Sequence, residues 1–225
     1  AQEGSLEQAL RESWGAETPM PDVKGRAAVM GQSEGNHDVG IALSLNCSIA
    51  KAAVLIDPVD GVDPYGVIKN QNLIKVGEKL NFSIPALILD NGLDDKANFG
   101  EPPCMPPAMG TSRWMKAWRG PFWRLNATEY GHVDCLDSRS AAVGKVICPS
   151  HRWTNKADYR SMLADAIHIF LGALFFGEKA ALAKLEDPKF TLINVTVDHD
   201  LKGLTHSEIA PRCRNTDTEM KDILV

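Results

Sequence analysis

Residues 31–35 read Gly31-Gln32-Ser33-Glu34-Gly35, a serine flanked at two residues on either side by glycine. A serine hydroxyl is a poor nucleophile at neutral pH. It needs a histidine to take its proton and an acid to hold that histidine in the right tautomer. The sequence offers both further along. His132 stands in Tyr130-Gly131-His132, where a glycine lets a loop fold over the serine. Acids stand in two clusters between them: Asp57 and Asp60 in Asp57-Pro58-Val59-Asp60-Gly61, and Asp90 and Asp94 in Asp90-Asn91-Gly92-Leu93-Asp94. The order serine, acid, histidine is that of hydrolases built on a sharp strand-to-helix turn. Residue type alone leaves Asp57, Asp60, Asp90 and Asp94 open as the acid. Most of them must serve as turn formers or caps, since one suffices.

Such a serine has to be positioned by a strand before it and a helix after it. Ala27 to Met30 is a short apolar run, and Val39 to Leu45 is amphipathic, so the flanks predict both. The glycines at 31 and 35 are expected to be required because bulkier residues would clash with the strand and helix closing around the serine. The backbone N–H of Glu34, at the start of the helix, is the expected oxyanion donor. Further buried strands are expected over residues 50–56, 86–89 and 122–127, each followed by one of the acid or histidine turns. A helix is expected over residues 5–14 and a long one over 159–176, with an extra edge strand over 189–197. Strands alternating with helices predict an α/β fold around a mostly parallel sheet. One domain is expected over residues 1–201, followed by a loose polar tail over 202–225.

The other histidines are weaker candidates. His37 lies on the helix after Ser33 and is expected to be exposed or a local hydrogen-bonder, and His168 is expected to be a core residue. His151, His199 and His206 lie in polar segments. The net charge of −5 provides no basic footprint for nucleic acid. The longest apolar run, over 167–176, is short of a membrane span and predicts a buried helix. Five scattered cysteines without a C-x-x-C pair argue against zinc and leave room for one unassigned disulfide.

Three motifs taken together resemble the chlorophyllase family: Gly31-Gln32-Ser33-Glu34-Gly35, Ile56-Asp57-Pro58-Val59-Asp60-Gly61 and Tyr130-Gly131-His132-Val133-Asp134-Cys135-Leu136-Asp137. Ser83-Ile84-Pro85 and Pro102-Pro103-Cys104 fit as well, and the likeness runs over about residues 19–176. The resemblance implies an α/β-hydrolase that cleaves the phytyl ester of chlorophyll to chlorophyllide and phytol without metal or organic cofactor. It implies Ser33 as nucleophile, Asp57 as acid and His132 as base, and a plastid location. Glu34, Asn36 and Gln32 depart from the family's usual arginine, glycine and histidine. The family also places several strands ahead of the serine, so this sequence leads one to expect missing upstream residues or a second chain over an open sheet edge. The competing expectation is a catalytically idle pigment-binding or structural subunit of a photosynthetic complex. The apolar residues over 96–123, Trp114, Met115 and Trp118 among them, would face a pigment or simply pack on the sheet.

Overall fold

A computed structural model describes residues 26–61, 72–97, 103–136, 144, 148–210 and 214–215. The helix expected over 5–14 lies outside them. The architecture is a mixed sheet flanked by helices, an α/β arrangement. Among the described residues its five strands are β1 (Ala28–Gln32), β2 (Ala52–Ile56), β4 (Ala86–Asn91), β5 (Phe122–Ala127) and β6 (Val195–Asp200), in the order β1-β2-β4-β5-β6. β1, β2, β4 and β5 are parallel, and β6 runs antiparallel to β5. A second, two-stranded sheet pairs β3 (Phe82–Ser83) with β7 (Arg214–Asn215).

β2, and β4 as far as Leu89, read as unbroken apolar runs because they are covered on both faces. On one face α1 (Gly35–Leu45) and α2 (Thr111–Ala117) enclose Leu43, Leu55, Ile88, Trp114 and Trp118. On the other, α3 (Lys156–Phe176) packs Tyr159, Met162, Ala166 and Phe170 against Val54, Leu87, Leu89 and Trp123. Trp114 and Trp118 are thus core residues, with the Trp118 indole N–H donating to the Ile84 carbonyl at 2.9 Å. They are not available as a pigment-facing wall. α3 is long and apolar enough to cross a bilayer by length and composition alone, longer than the run expected from sequence. It starts at an Asn155 cap and ends at Gly177 in the left-handed conformation.

The register lines up the carboxyl ends of the parallel strands. Gln32 is level with Ile56, Ile56 with Leu89, and Asn91 with Ala127. The turns that follow, bearing Ser33, Asp57, Asp94 and His132, therefore meet at one sheet edge, where ligands of open parallel sheets bind. Among the described residues β1 has no strand beyond it, and Met30 is 60% exposed there.

Two expectations need correcting. The edge strand sits at 195–200 rather than 189–197, because Asp187-Pro188 caps a short 3₁₀ turn over Pro188–Phe190 that delays it. The polar segment after 202 is not loose as far as it is described. Thr205 and Glu208 form a reciprocal capping box, and Ile209 is buried in the α3-side core.

Candidate active site

Ser33 turns out of β1 with φ of 55°, a left-handed conformation that side-chain-bearing residues rarely adopt. Its backbone is held in place from both sides. The Ser33 N–H donates to the Ile56 carbonyl at 2.9 Å, and the Val59 N–H donates to the Ser33 carbonyl at 3.2 Å. The buried Asn36 amide donates to the Ser33 and Ile56 carbonyls, each at 2.9 Å. Asn36 is thus a staple across the turn, a role that reading it only as a departure from glycine did not reveal. Gly31 is required by sterics: a Cβ there would lie 2.7 Å from the Gly35 carbonyl oxygen and 2.8 Å from the Asn36 nitrogen. Gly35 is not, since a Cβ there would meet nothing within 4 Å. The expectation of two obligatory glycines holds for the first alone.

His132 Nε2 lies 2.6 Å from Ser33 Oγ. The turn that carries the histidine is fixed by several independent contacts. Gly131 is pressed so closely on the Pro149 carbonyl that a Cβ would come within 1.9 Å of its oxygen. Asp134 accepts from the Gly131 N–H at 3.0 Å and from the Ser150 hydroxyl at 2.6 Å, and pairs with Lys156 at 2.8 Å. Gln32, next to the serine, donates its side-chain amide to the His132 carbonyl at 3.3 Å. A disulfide between Cys104 and Cys148 anchors the segment above Gly131 to the loop whose Met105 N–H donates to the Asp94 carbonyl at 3.0 Å. Cys47 is also disulfide-bonded, so the sequence expectation of one bridge was too few. Cys135 is free, and burial pushes its thiol up to about 12, which leaves it protonated and unreactive.

Behind the histidine lie two buried carboxyls. Asp94 Oδ2 is 3.4 Å from His132 Nδ1. Asp57, in a left-handed turn with φ of 45°, accepts from the Asn91 amide through both oxygens, at 3.0 and 2.9 Å. The same Asn91 amide reaches the Gly131 carbonyl at 3.3 Å. Asn91 was not flagged by sequence reasoning. Its only signal was a polar amide ending an apolar strand. One polar atom each of Asp57, Asp94 and His132 lie within 4.8 Å of one another. Within the protein His132 bonds to Ser33 and Asp94, and Asp57 to Asn91.

Burial pushes both carboxyls well above the usual carboxylate range; the negative charge of Asp94 pushes Asp57 up further, whereas a hydrogen bond with Asp57 draws Asp94 part of the way back down. Burial also pushes the His132 imidazole below its ordinary range, against the opposing pull of negative charge at Asp57. A depressed imidazole is neutral at physiological pH and free to accept a proton.

The structure thus brings Ser33, His132, Asp57 and Asp94 together. It does not bring Asp60 to the histidine. Asp60 is fully buried on the α1 side, 3.0 Å from His37 Nδ1 and 2.9 Å from Arg113 Nε, and accepts from the Leu73 and Ile74 N–H groups. Asp90 forms a two-pronged pair with Arg124. His168 is exposed on α3, not a core residue, because it falls on the helix face turned from the sheet. The Glu34 N–H is not spent on a backbone carbonyl among the described residues, and the Glu34 side chain is exposed.

Comparison with known proteins meets this geometry from the other direction. The chain is 28% identical to Chlorophyllase-1 of Arabidopsis thaliana over 67% of its own length and 48% of that protein's. It is 29% identical to Chlorophyllase-2 of the same plant over 59% and 43%, and 27% identical to the chloroplastic Chlorophyllase-1 of Citrus sinensis over 75% and 51%. The chain spans about half the length of the curated relatives it matches. The chlorophyllase family model matches residues 4–200, and the chain belongs to that family.

Proposed function

We propose that this protein is a serine carboxylic-ester hydrolase of the α/β-hydrolase type that cleaves the phytyl ester of chlorophyll. The observation that carries the reading is the 2.6 Å contact between Ser33 Oγ and His132 Nε2, made by a serine in a strained turn at the head of a helix. Ser33 attacks the ester carbonyl while His132 takes its proton, and negative charge grows on the carbonyl oxygen. The free N–H of Glu34 and the positive end of α1 are placed to stabilise that charge. The exposed Glu34 carboxylate points to solvent, where water screens it. His132 then protonates the departing phytol oxygen. In the second half it activates a water that releases chlorophyllide from Ser33. The acid side of the triad is the buried pair Asp57 and Asp94, Asp57 being the position the family resemblance implies.

The reaction needs no metal or organic cofactor, since the serine supplies the nucleophile and the histidine moves every proton. Chlorophyll is the proposed partner, as substrate, and the chloroplastic relative supports a plastid location. The test is chlorophyllide release from chlorophyll by this chain beside its Ser33→Ala variant. The expected result is turnover that falls by at least about a thousandfold in the variant. Turnover unchanged in Ser33→Ala refutes the assignment. Absent turnover with pigment retained by both proteins moves the reading to a pigment-binding subunit.

A further inference from the structure

Lys156 is the first residue of α3, where the positive end of the helix dipole disfavours a cation. Its ammonium is nevertheless largely buried and turned toward the loop that precedes the helix. All three of its N–H donors are used. It donates to Asp134 Oδ2 at 2.8 Å, to the His151 carbonyl at 2.9 Å and to the Thr154 hydroxyl. It also lies over the Tyr130 ring, 5.2 Å from the centroid.

These partners flank His132 on both sides. Asp134 is buried, and the Oδ2 that Lys156 holds also accepts from the Gly131 N–H at 3.0 Å. Its Oδ1 accepts from the Ser150 hydroxyl at 2.6 Å. Tyr130 donates to the Asn155 carbonyl at 3.1 Å and stacks on Tyr159 of α3, with ring centroids 4.7 Å apart. One ammonium thus ties the residues before and after His132 to the start of α3. The imidazole between them meets Ser33 Oγ at 2.6 Å and Asp94 Oδ2 at 3.4 Å. The second contact is long for a hydrogen bond, so the aim of the ring depends on the turn that carries it.

A buried ion pair is weak support for stability, because the cost of desolvating it offsets much of the attraction. A pair with every donor and acceptor satisfied does fix geometry. We propose that Lys156 is a positioning residue for the ester hydrolysis: acting through Asp134, it holds the turn over residues 130–134 so that His132 Nε2 stays aimed at Ser33 Oγ. Its meaning for turnover rests on the hydrolase reading; its hold on His132 does not. An ammonium suits the task, since it is a compact charge whose donors point three ways. The planar fork of a guanidinium cannot serve three acceptors spread around one point in the same manner.

The test begins with Lys156→Met, which keeps the reach of the side chain and removes its charge and donors. On p-nitrophenyl butyrate we expect kcat per folded molecule to fall on the order of a hundredfold with KM within about twofold, the cost of misplacing the base by about 1 Å. Lys156→Arg should fall between this variant and the unmodified protein. Lys156→Cys alkylated with 2-bromoethylamine rebuilds a side chain ending in an ammonium and should recover most of kcat. The same variant carrying a neutral alkyl group of similar length should not. Cys135 does not compete for the reagent, because burial keeps its thiol protonated. A readout independent of turnover is nitrogen NMR of the imidazoles. The His132 signals should broaden in Lys156→Met as the ring loses its single orientation, while those of His168 and His199 stay unchanged. Should Lys156→Met fail to fold, Lys156→Arg and the alkylated pair carry the same test. An unchanged kcat, recovery as full with the neutral group as with the ammonium, or His132 signals as narrow as before overturns the proposal. Broadened His132 signals in Lys156→Met, with no ester turnover by the unmodified protein, uphold the hold on His132 and reject the hydrolase reading instead.

Discussion

Asp57 and Asp60 lie in one turn, both fully buried, yet they occupy opposite electrostatic worlds. Asp60 has a cationic Arg113 and His37 at its oxygens and two backbone N–H groups besides, so its charge is compensated on every side. Asp57 has an amide, a second carboxyl and a neutral imidazole. A buried ion with its partners in place is a clamp: Asp60 ties the turn to α1 and α2. A buried acid held among other acids is a strained store of charge, maintained because the structure around it over-determines the arrangement. Identical residue type and burial therefore do not identify a functional acid; the sign of its surroundings does.

The comparison is broken most directly at Asp60. Replacing it with alanine takes the carboxylate away from the half-buried Arg113 and from two backbone N–H groups, so chemical denaturation should show a loss of about 2–4 kcal/mol. The Asp60 variant that still folds should keep its esterase pH profile. A profile shifted by Asp60→Ala would mean that Asp60 belongs to the catalytic group after all. Next in size is Asn36→Ala, which removes both staples across the serine turn. We expect a loss of about 1–3 kcal/mol, with kcat falling more than KM changes because the serine is less firmly aimed.

The pH dependence sharpens the contrast. The folded-state values of Asp57 and Asp94 are raised, so the native protein holds protons that the unfolded chain releases. Their stabilising contribution is complete below the ordinary carboxylate value of 3.8 and is lost as pH rises through the folded values. His132 is depressed, so its contribution is lost as pH falls below 6.5 toward its folded value. Asp94→Asn should therefore flatten the fall in thermal stability on the alkaline side and raise Tm modestly at neutral pH while it lowers activity, the usual trade between stability and a strained site. The smallest effect is on kinetics: the acid limb of kcat/KM should lie below 6.5, the ordinary imidazole value, since protonating His132 is what stops the reaction.

Much of this was legible in the residues. β5 falls on the run expected for it, and β2, β4 and α1 lie within a few residues of expectation, since apolar runs bounded by breakers have few other readings. The turn at Ser33 was visible because glycine spacing records a steric demand, as Gly31 shows. The amides Gln32, Asn36 and Asn91 were not, because an amide has no period and its bonding partners lie 100, 20 and 34 residues away.

By itself the sequence determined which side chains are candidates for chemistry, their order along the chain, and the strand after which each stands, because local periodicity and turn chemistry act over a few residues. Only the tertiary structure decided that Asp94 as well as Asp57 stands behind His132 and that Asp60 turns away to Arg113. That choice depends on strand order and register, which bring the ends of β2 and β4 side by side, and on which face of the sheet each turn leaves. Burial and the sign of neighbouring charge follow from that packing, and no residue carries them in its own identity.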